Sequence, residues 1–146
     1  MPFASGGGRT GIVRLVVDTN LMIRALLSPG PARRFFALAP LTHVLIYHAE
    51  QILELRDVAA RPRLGIAPDA LHELIDRIER YGQAVESPLD APGDCRDPKD
   101  EYVLALALAG SAEFVLTEDQ DLLVLDPWRS IRVCRLFEFL RDHPLE

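Results

Sequence analysis

Three acidic side chains stand where a folded chain could bring them together. Asp18 follows the run IVRLVV, Asp100 opens the apolar segment DEYVLALALAG, and Asp119 comes two residues after the run EFVLT. Carboxylates about 4 Å apart repel by roughly 4 kcal/mol at an effective dielectric near 20, so a cluster of them takes up protons or a cation. A cluster of oxygen ligands without Cys or paired His favours a hard cation, Mg²⁺ or Mn²⁺.

Each of these acids also has a purely structural interpretation. Asp18 could form the turn after a strand, and Asp97 fits the N-cap of a helix whose third residue is Asp100. Asp119 could cap the short helical turn DQDLLVL, and Asp121 could do likewise. The residues alone leave the structural and the chemical interpretations open.

The elements that must position these acids alternate between strand and helix. Apolar and β-branched runs predict strands over residues 12–17, 43–47, 113–117 and 131–134. Capping residues, Pro and Gly delimit predicted helices over 19–27, 32–39, 49–61, 68–82, 98–110 and 136–143. Thr19 or Asn20 is the expected cap of the first helix. This alternation predicts an α/β fold, a three-layer α/β/α sandwich with a central, mainly parallel sheet, whose ligands bind beyond the carboxyl ends of the strands.

The composition predicts one soluble domain. Of the 146 residues, 49% are apolar and 26% are charged, and no apolar run approaches the roughly 20 residues of a membrane span. Residues 1–11 are expected to form a flexible N-terminal arm and residues 12–146 the domain, in the cytoplasm. The net charge of −6 argues against bulk attraction to nucleic acid, although 15 of the 16 basic residues are arginine, which suits phosphate contacts.

Four segments, in this order and spacing, resemble the PIN-domain ribonucleases, and most of all the bacterial group of toxin components of toxin–antitoxin pairs. They are VVDTNLMIRALL, ELRDVAARPRL, RDPKDEYVLALALAGSAEFVLTEDQDLLVL and IRVCRLFEFL. The resemblance implies a PIN-like fold and an acidic quartet that binds one or two Mg²⁺ or Mn²⁺ ions, formed here by Asp18, Glu54, Asp100 and Asp119. Asp97 matches an additional acid often present in this group.

Glu54 enters the quartet through the resemblance alone. Helical spacing places it with Glu50 and Asp57, a pattern that is typical of a solvated face. The sequence also departs from the family at two positions. His48 stands where a small hydroxyl residue is common, and Glu118 stands where Gly is common, which adds a negative charge beside the quartet.

The resemblance implies a metal-dependent endoribonuclease that hydrolyses single-stranded RNA with a metal-activated water. It also implies a small antitoxin protein as partner, a homodimer or higher homo-oligomer, and no membrane association. Two alternatives stay open: a catalytically silent PIN fold that binds RNA or protein, and a housekeeping RNA-processing nuclease. Metal-dependent RNA cleavage separates the silent fold from the other two.

Supporting roles are predicted for two polar residues and four arginines. Asn20 and Thr117 could orient Asp18 and Asp119 by hydrogen bonds, with ordinary capping as the alternative. The expected contacts to RNA phosphates are Arg33, Arg34, Arg61 and Arg63.

Other classes of acidic or phosphate-binding protein fit the sequence poorly. A receiver domain needs a lysine near its last strand, but the one lysine of this chain is Lys99. A haloacid-type phosphatase needs a second Asp two residues after the first, which DTNLM lacks. The segment GGGRTG precedes its strand and has no lysine, so it is not a P-loop.

Overall fold

The computed structural model describes residues 11–145, so nearly all of the predicted N-terminal arm lies outside the described residues. Strands and helices alternate along the chain as β1 (Arg14–Val17), α1 (Thr19–Leu27), α2 (Pro31–Thr42), β2 (Val44–His48), α3 (Ala49–Ala59), a 3₁₀ turn (Pro62–Leu64), α4 (Pro68–Tyr81), β3 (Gln83–Val85), α5 (Pro98–Ala109), β4 (Phe114–Leu116), α6 (Gln120–Leu123), β5 (Arg132–Cys134) and α7 (Leu136–Asp142). None of the helices in this part of the chain is long and apolar enough to cross a membrane.

The strands form one sheet in the order β3-β2-β1-β4-β5, and every neighbouring pair is parallel. This arrangement confirms the predicted α/β class and the parallel sheet. The chain adds strands on one side of β1 as far as β3, and then returns to add β4 and β5 on the other side. Such a reversal opens a crevice at the carboxyl end of the central strand, between β1 and β4.

Helices cover both faces of the sheet because the central strand is apolar on both. Leu15 and Val17 of β1 face one core, which they share with residues of α1 to α4 and α7. Val16 faces a second core, which is built with α5, α6 and the segment around Trp128. The alternation of neighbouring β1 side chains between two cores is what produces the three layers.

The edge strand β3 is absent from the sequence-based prediction. Its three residues pair with Ile46–His48 of β2, but only Val85 of β3 is buried. A strand this short, with two exposed residues, carries almost no apolar pattern, so the sequence offers little to detect. The 3₁₀ turn over Pro62–Leu64 was not predicted either, and the ends of several elements differ: α2 runs on through Pro40 to Thr42, α3 stops at Ala59, and β1 begins at Arg14.

Gly82 allows α4 to end directly against β2. A Cβ atom at this position would lie 2.5 Å from the carbonyl oxygen of Ile78 and 2.8 Å from that of Leu45. Its φ of −83° is open to any residue, so it is space and not backbone conformation that requires glycine here. The close approach lets the chain turn from α4 straight into the edge strand.

We therefore expect Gly82→Ala to destabilise the fold by about 1–3 kcal/mol, because the methyl group must displace backbone atoms. Urea unfolding monitored by circular dichroism measures this as a lower midpoint with an unchanged slope. An unchanged midpoint would show that α4 and β2 are not packed this closely.

Candidate active site

An acidic cavity of about 500 Å³ lies at the carboxyl ends of β1 and β4. Residues that follow β1, the first half of α3, the start of α5 and the segment after β4 all contribute to its wall. The predicted quartet and the additional acid all line it: Asp18, Glu54, Asp97, Asp100 and Asp119.

Asp18 ends β1 and begins α1. Its Oδ1 atom accepts a hydrogen bond from the backbone N–H of Asn20 at 3.2 Å, and its Oδ2 atom accepts one from the Thr117 hydroxyl at 2.8 Å. Asp18 itself is therefore the cap of α1, not Thr19 or Asn20 as predicted. Burial of Asp18, which is 8% exposed, raises its pKa, although both hydrogen bonds act in the opposite direction.

Thr117 links the two acids that follow β1 and β4, Asp18 and Asp119. Its hydroxyl group donates to Asp18 and accepts from the backbone N–H of Asp119 at 3.0 Å, and the residue is fully buried. The contact with Asp119 is thus to its backbone, while its carboxylate stays available to the cavity. Asn20 also lines the cavity, but it is the backbone N–H of Asn20 that contacts Asp18.

Asp100, Asp119 and Asp121 bring one carboxylate oxygen each to within 4.8 Å of one another. Burial of Asp100, which is 3% exposed, and the neighbouring carboxylate of Asp119 raise the pKa of Asp100 to about 7. Asp121 was not among the predicted site residues, because its capping interpretation accounted for it. Its position two residues after Asp119, on the same short turn, is the sequence signal that could have included it.

Asp97 and Asp119 also cap the helices that follow them. Asp97 accepts from the backbone N–H of Lys99 at 2.9 Å at the start of α5. Asp119 accepts from that of Asp121 at 2.9 Å at the start of α6. The structural interpretation of these acids is therefore correct, and each of them lines the cavity as well.

His48 supplies the cap that a small hydroxyl residue would provide in the family pattern. Its Nδ1 atom accepts from the backbone N–H of Glu50 at 3.1 Å. The proton of the neutral ring is then on Nε2, which lies 3.0 Å from the carbonyl oxygen of Ser87 and donates to it. One imidazole thus begins α3 and also holds the loop that leads from β3 towards α5.

Three residues of α3 line the cavity: Glu50, Gln51 and Glu54. The side-chain amide of Gln51 donates to the carbonyl oxygen of Val17 at 2.9 Å and so ties α3 to the end of β1. Glu54, one turn further on, is half-buried and lines the cavity, whereas Asp57 on the next turn is exposed. The helical face that the sequence presented as solvated is therefore divided between cavity and solvent.

Glu118 faces away from the cavity. Its carboxylate accepts from the Arg135 guanidinium at 3.2 Å and from the backbone N–H of Leu136 at 3.3 Å, at the start of α7. The additional negative charge beside Asp119 is thereby neutralised by a cation and by the amino end of a helix.

Glu101 is a buried acid that the sequence-based prediction did not assign to the site. It accepts hydrogen bonds from the backbone N–H groups of Gly93, at 2.6 Å, and Cys95. The Cys95 thiol in turn donates to Asp100 at 3.6 Å. Glu101 therefore holds the loop that packs against Asp100, a role with no recognisable sequence signal.

The arginines predicted as phosphate contacts do not line this cavity. Arg33 donates to the carbonyl oxygens of Ala25 and Leu26 at the end of α1, and Arg61 lies 3.8 Å from Asp57. Arg34 borders a different, apolar cavity, and Arg63 is exposed in the 3₁₀ turn. Lys99 is the cationic residue among those that line the acidic cavity.

A family model of the PIN domain matches residues 14–121, from the first residue of β1 to the second residue of α6. The match covers well over half of the chain and includes every acid that lines the cavity. The chain belongs to the PIN-domain family. No protein of curated function matches it significantly. PIN domains are generally nucleases and usually bind divalent metal ions, and the acidic cluster of this PIN domain fits both properties.

The donor set of the PIN cavity suits a hard divalent cation. The groups that converge there are carboxylates, with hydroxyl and amide groups behind them, and oxygen ligands of this kind bind Mg²⁺ or Mn²⁺. The pKa of Asp100 is raised because burial and the neighbouring Asp119 carboxylate disfavour its charge when only protein groups surround it. Asp18, Glu54, Asp100 and Asp119, with Asp97 and Asp121 at the margin, are the residues that would hold the ion.

The raised pKa of Asp100 predicts how the stability of the metal-free PIN domain depends on pH. Between pH 3.8 and about 7 the folded state binds a proton that the unfolded state has released, so the free energy of unfolding falls as pH rises through this window. Asp100→Asn replaces the O–H donor of the protonated acid with a neutral N–H donor and cannot acquire the charge. We expect wild type and variant to be similarly stable near pH 4 and the variant to be more stable, by on the order of 2 kcal/mol, near pH 8.

Urea unfolding in EDTA at several pH values measures this difference. Asp76→Asn is the matched control, because Asp76 is exposed on α4 and pairs with Arg80 at 3.2 Å. A stability difference between Asp100→Asn and wild type that stays constant across the window would contradict the prediction.

Removal of the Thr117 hydroxyl group tests whether Asp18 and Asp119 need its hydrogen bonds to keep their positions. Thr117→Val has nearly the same shape but leaves Asp18 and the Asp119 N–H without the hydroxyl group. We expect a loss of about 1–3 kcal/mol of stability in EDTA and Mn²⁺ binding weakened by about 10- to 100-fold, both measured on the purified protein, the latter by calorimetry. Thr117→Ser should bind Mn²⁺ as wild type does, and a Val variant with wild-type affinity would refute this role.

Proposed function

We propose that this PIN domain is a Mg²⁺- or Mn²⁺-dependent endoribonuclease that hydrolyses phosphodiester bonds of single-stranded RNA. The observation that carries the proposal is the convergence of Asp18, Glu54, Asp100 and Asp119 on one cavity at the carboxyl edge of the sheet. These acids come from four separate stretches of the chain. Holding them together costs electrostatic free energy, and the fold does not need this arrangement for its stability.

Phosphodiesters are anions, so an acidic cavity repels them unless a cation reverses the local field. When bound, one or two ions would supply this charge and an activated water for in-line attack at phosphorus. The chain's own residues hold the acids ready: Thr117 orients Asp18, Gln51 ties α3 to β1, and Cys95 contacts Asp100. Asp100 must release its proton to act as a ligand, so we expect metal binding to weaken as pH falls below about 7 and a higher metal concentration to offset this loss.

The biological role we propose is that of the toxin in a toxin–antitoxin pair. It is supported by the likeness of the four quoted segments to the bacterial toxin group. In this role the protein is cytoplasmic, forms a homodimer or higher homo-oligomer, and is held inactive by a small antitoxin protein. A short reading frame beside the gene, encoding a DNA-binding antitoxin, is the expected sign and distinguishes this role from housekeeping RNA processing.

We expect purified protein to cleave single-stranded RNA with Mn²⁺ or Mg²⁺ and to stop in EDTA. Asp18→Asn, Asp100→Asn and Glu54→Gln should each lower the rate by on the order of 100-fold or more, because an amide keeps the shape but removes the charge of a ligand. Gel analysis of a labelled oligonucleotide, with circular dichroism of each variant, separates lost chemistry from lost folding.

Asp57→Asn is the matched control for Glu54→Gln. Both residues lie on α3, but the Asp57 side chain is 81% exposed beside Arg61, so its variant should keep the wild-type rate. Cleavage that persists in EDTA would refute the metal mechanism. Folded protein that binds Mn²⁺ and RNA without cleaving it would establish the alternative, a catalytically silent PIN fold.

A further inference from the structure

Lys99 occupies a distinctive place in the acidic cavity. Six carboxylates line the cavity, and among the described residues that line it Lys99 carries the positive charge. It is also the single lysine of the chain, since the other 15 basic residues are arginine. The four arginines first considered for phosphate contact all lie outside this wall.

The start of α5 determines where Lys99 stands. Asp97 caps the helix through the backbone N–H of Lys99, at 2.9 Å, and the next residue is the buried Asp100. Lys99 itself is exposed, so its ammonium group keeps its hydration at the rim while its neighbour points inwards.

A purely structural role accounts poorly for this residue. The partial positive charge at the amino end of a helix favours acids in the first turn and disfavours a cation there. Among the described residues, the Lys99 ammonium forms an ion pair with none of the acids around it. The lysine therefore stands against the helix dipole and without a fixed ion-pair partner, at the entrance to the cavity.

We propose that Lys99 contacts a non-bridging phosphate oxygen of the RNA backbone and positions the substrate over the acids. This inference rests on the proposed nuclease function. An ammonium group is a compact charge with three rotatable donors, so it can meet a phosphate without demanding one geometry. Because every nucleotide presents the same phosphate, the contact adds affinity and sets the position of the strand without reading its sequence.

The test compares Lys99→Met and Lys99→Arg with Arg80→Met. Met keeps most of the aliphatic stem and removes the charge, and Arg keeps the charge. Arg80 is exposed on α4 beside Asp76, so its variant removes one positive charge away from the cavity. We expect Lys99→Met to weaken RNA binding by about 10- to 100-fold, Lys99→Arg to recover most of it, and Arg80→Met to resemble wild type.

Binding is measured by fluorescence anisotropy of a labelled single-stranded RNA of mixed sequence, with Ca²⁺ as a hard cation of lower Lewis acidity than Mn²⁺. The slope of log K against log salt should fall by about 0.7 in Lys99→Met, the value for one lost phosphate contact on a single strand. With Mn²⁺, the same variant should raise KM far more than it lowers kcat.

Calorimetry with Mn²⁺ alone separates substrate contact from support of the metal site. If Lys99 contacts the phosphate, the Lys99→Met variant should bind Mn²⁺ as tightly as wild type or somewhat more tightly, because a competing cation has been removed. Weaker Mn²⁺ binding with unchanged RNA affinity would overturn the inference, and so would equal losses in Lys99→Met and Arg80→Met. If wild type and Lys99→Met cleave RNA with the same KM, this inference fails but the proposed nuclease function stands. If wild type neither binds nor cleaves RNA, the proposed function itself fails.

Discussion

Repulsion between carboxylates at the carboxyl edge of a parallel sheet is the constraint on which the rest of this structure depends. Asp18 and Asp100 are both buried, and burial raises the pKa of each. The surrounding polar groups are arranged to hold the acids in spite of this cost: the Thr117 hydroxyl, the Cys95 thiol and backbone N–H groups all point at carboxylate oxygens. The sheet beneath them, apolar on both faces, provides the rigidity that such an arrangement needs.

Capping and ligand chemistry turn out to be two uses of the same residues. Asp18, Asp97 and Asp119 each begin a helix with one oxygen and line the cavity as well. A helix cap has a defined direction, so a capping carboxylate is held in place without further contacts. At these positions the structural and the functional interpretation are therefore both correct.

Much of the fold could be predicted from the sequence, because long apolar runs, prolines and glycines mark most elements clearly. The edge strand β3 could not, since its pairing depends on β2 and not on its own three residues. At the site, three acids could be predicted from their positions at strand and helix ends: Asp18, Asp100 and Asp119. Glu54 required the family resemblance, because one helical face is divided between cavity and solvent. The roles of Glu101, Gln51 and Lys99 depend on loops and helices that meet only in three dimensions, which no local pattern encodes.

The imidazole of His48 gives this PIN domain a link that a smaller cap would lack. A serine or threonine at this position could begin α3, but its side chain would be too short to reach the carbonyl group of Ser87 as well. Through His48, the helix that carries Glu54 is hydrogen-bonded to the start of the loop that leads to Asp97. Because Glu101 of α5 holds the same loop near its other end, the segment between β3 and Asp97 is anchored to the helices on both sides of the acid cluster.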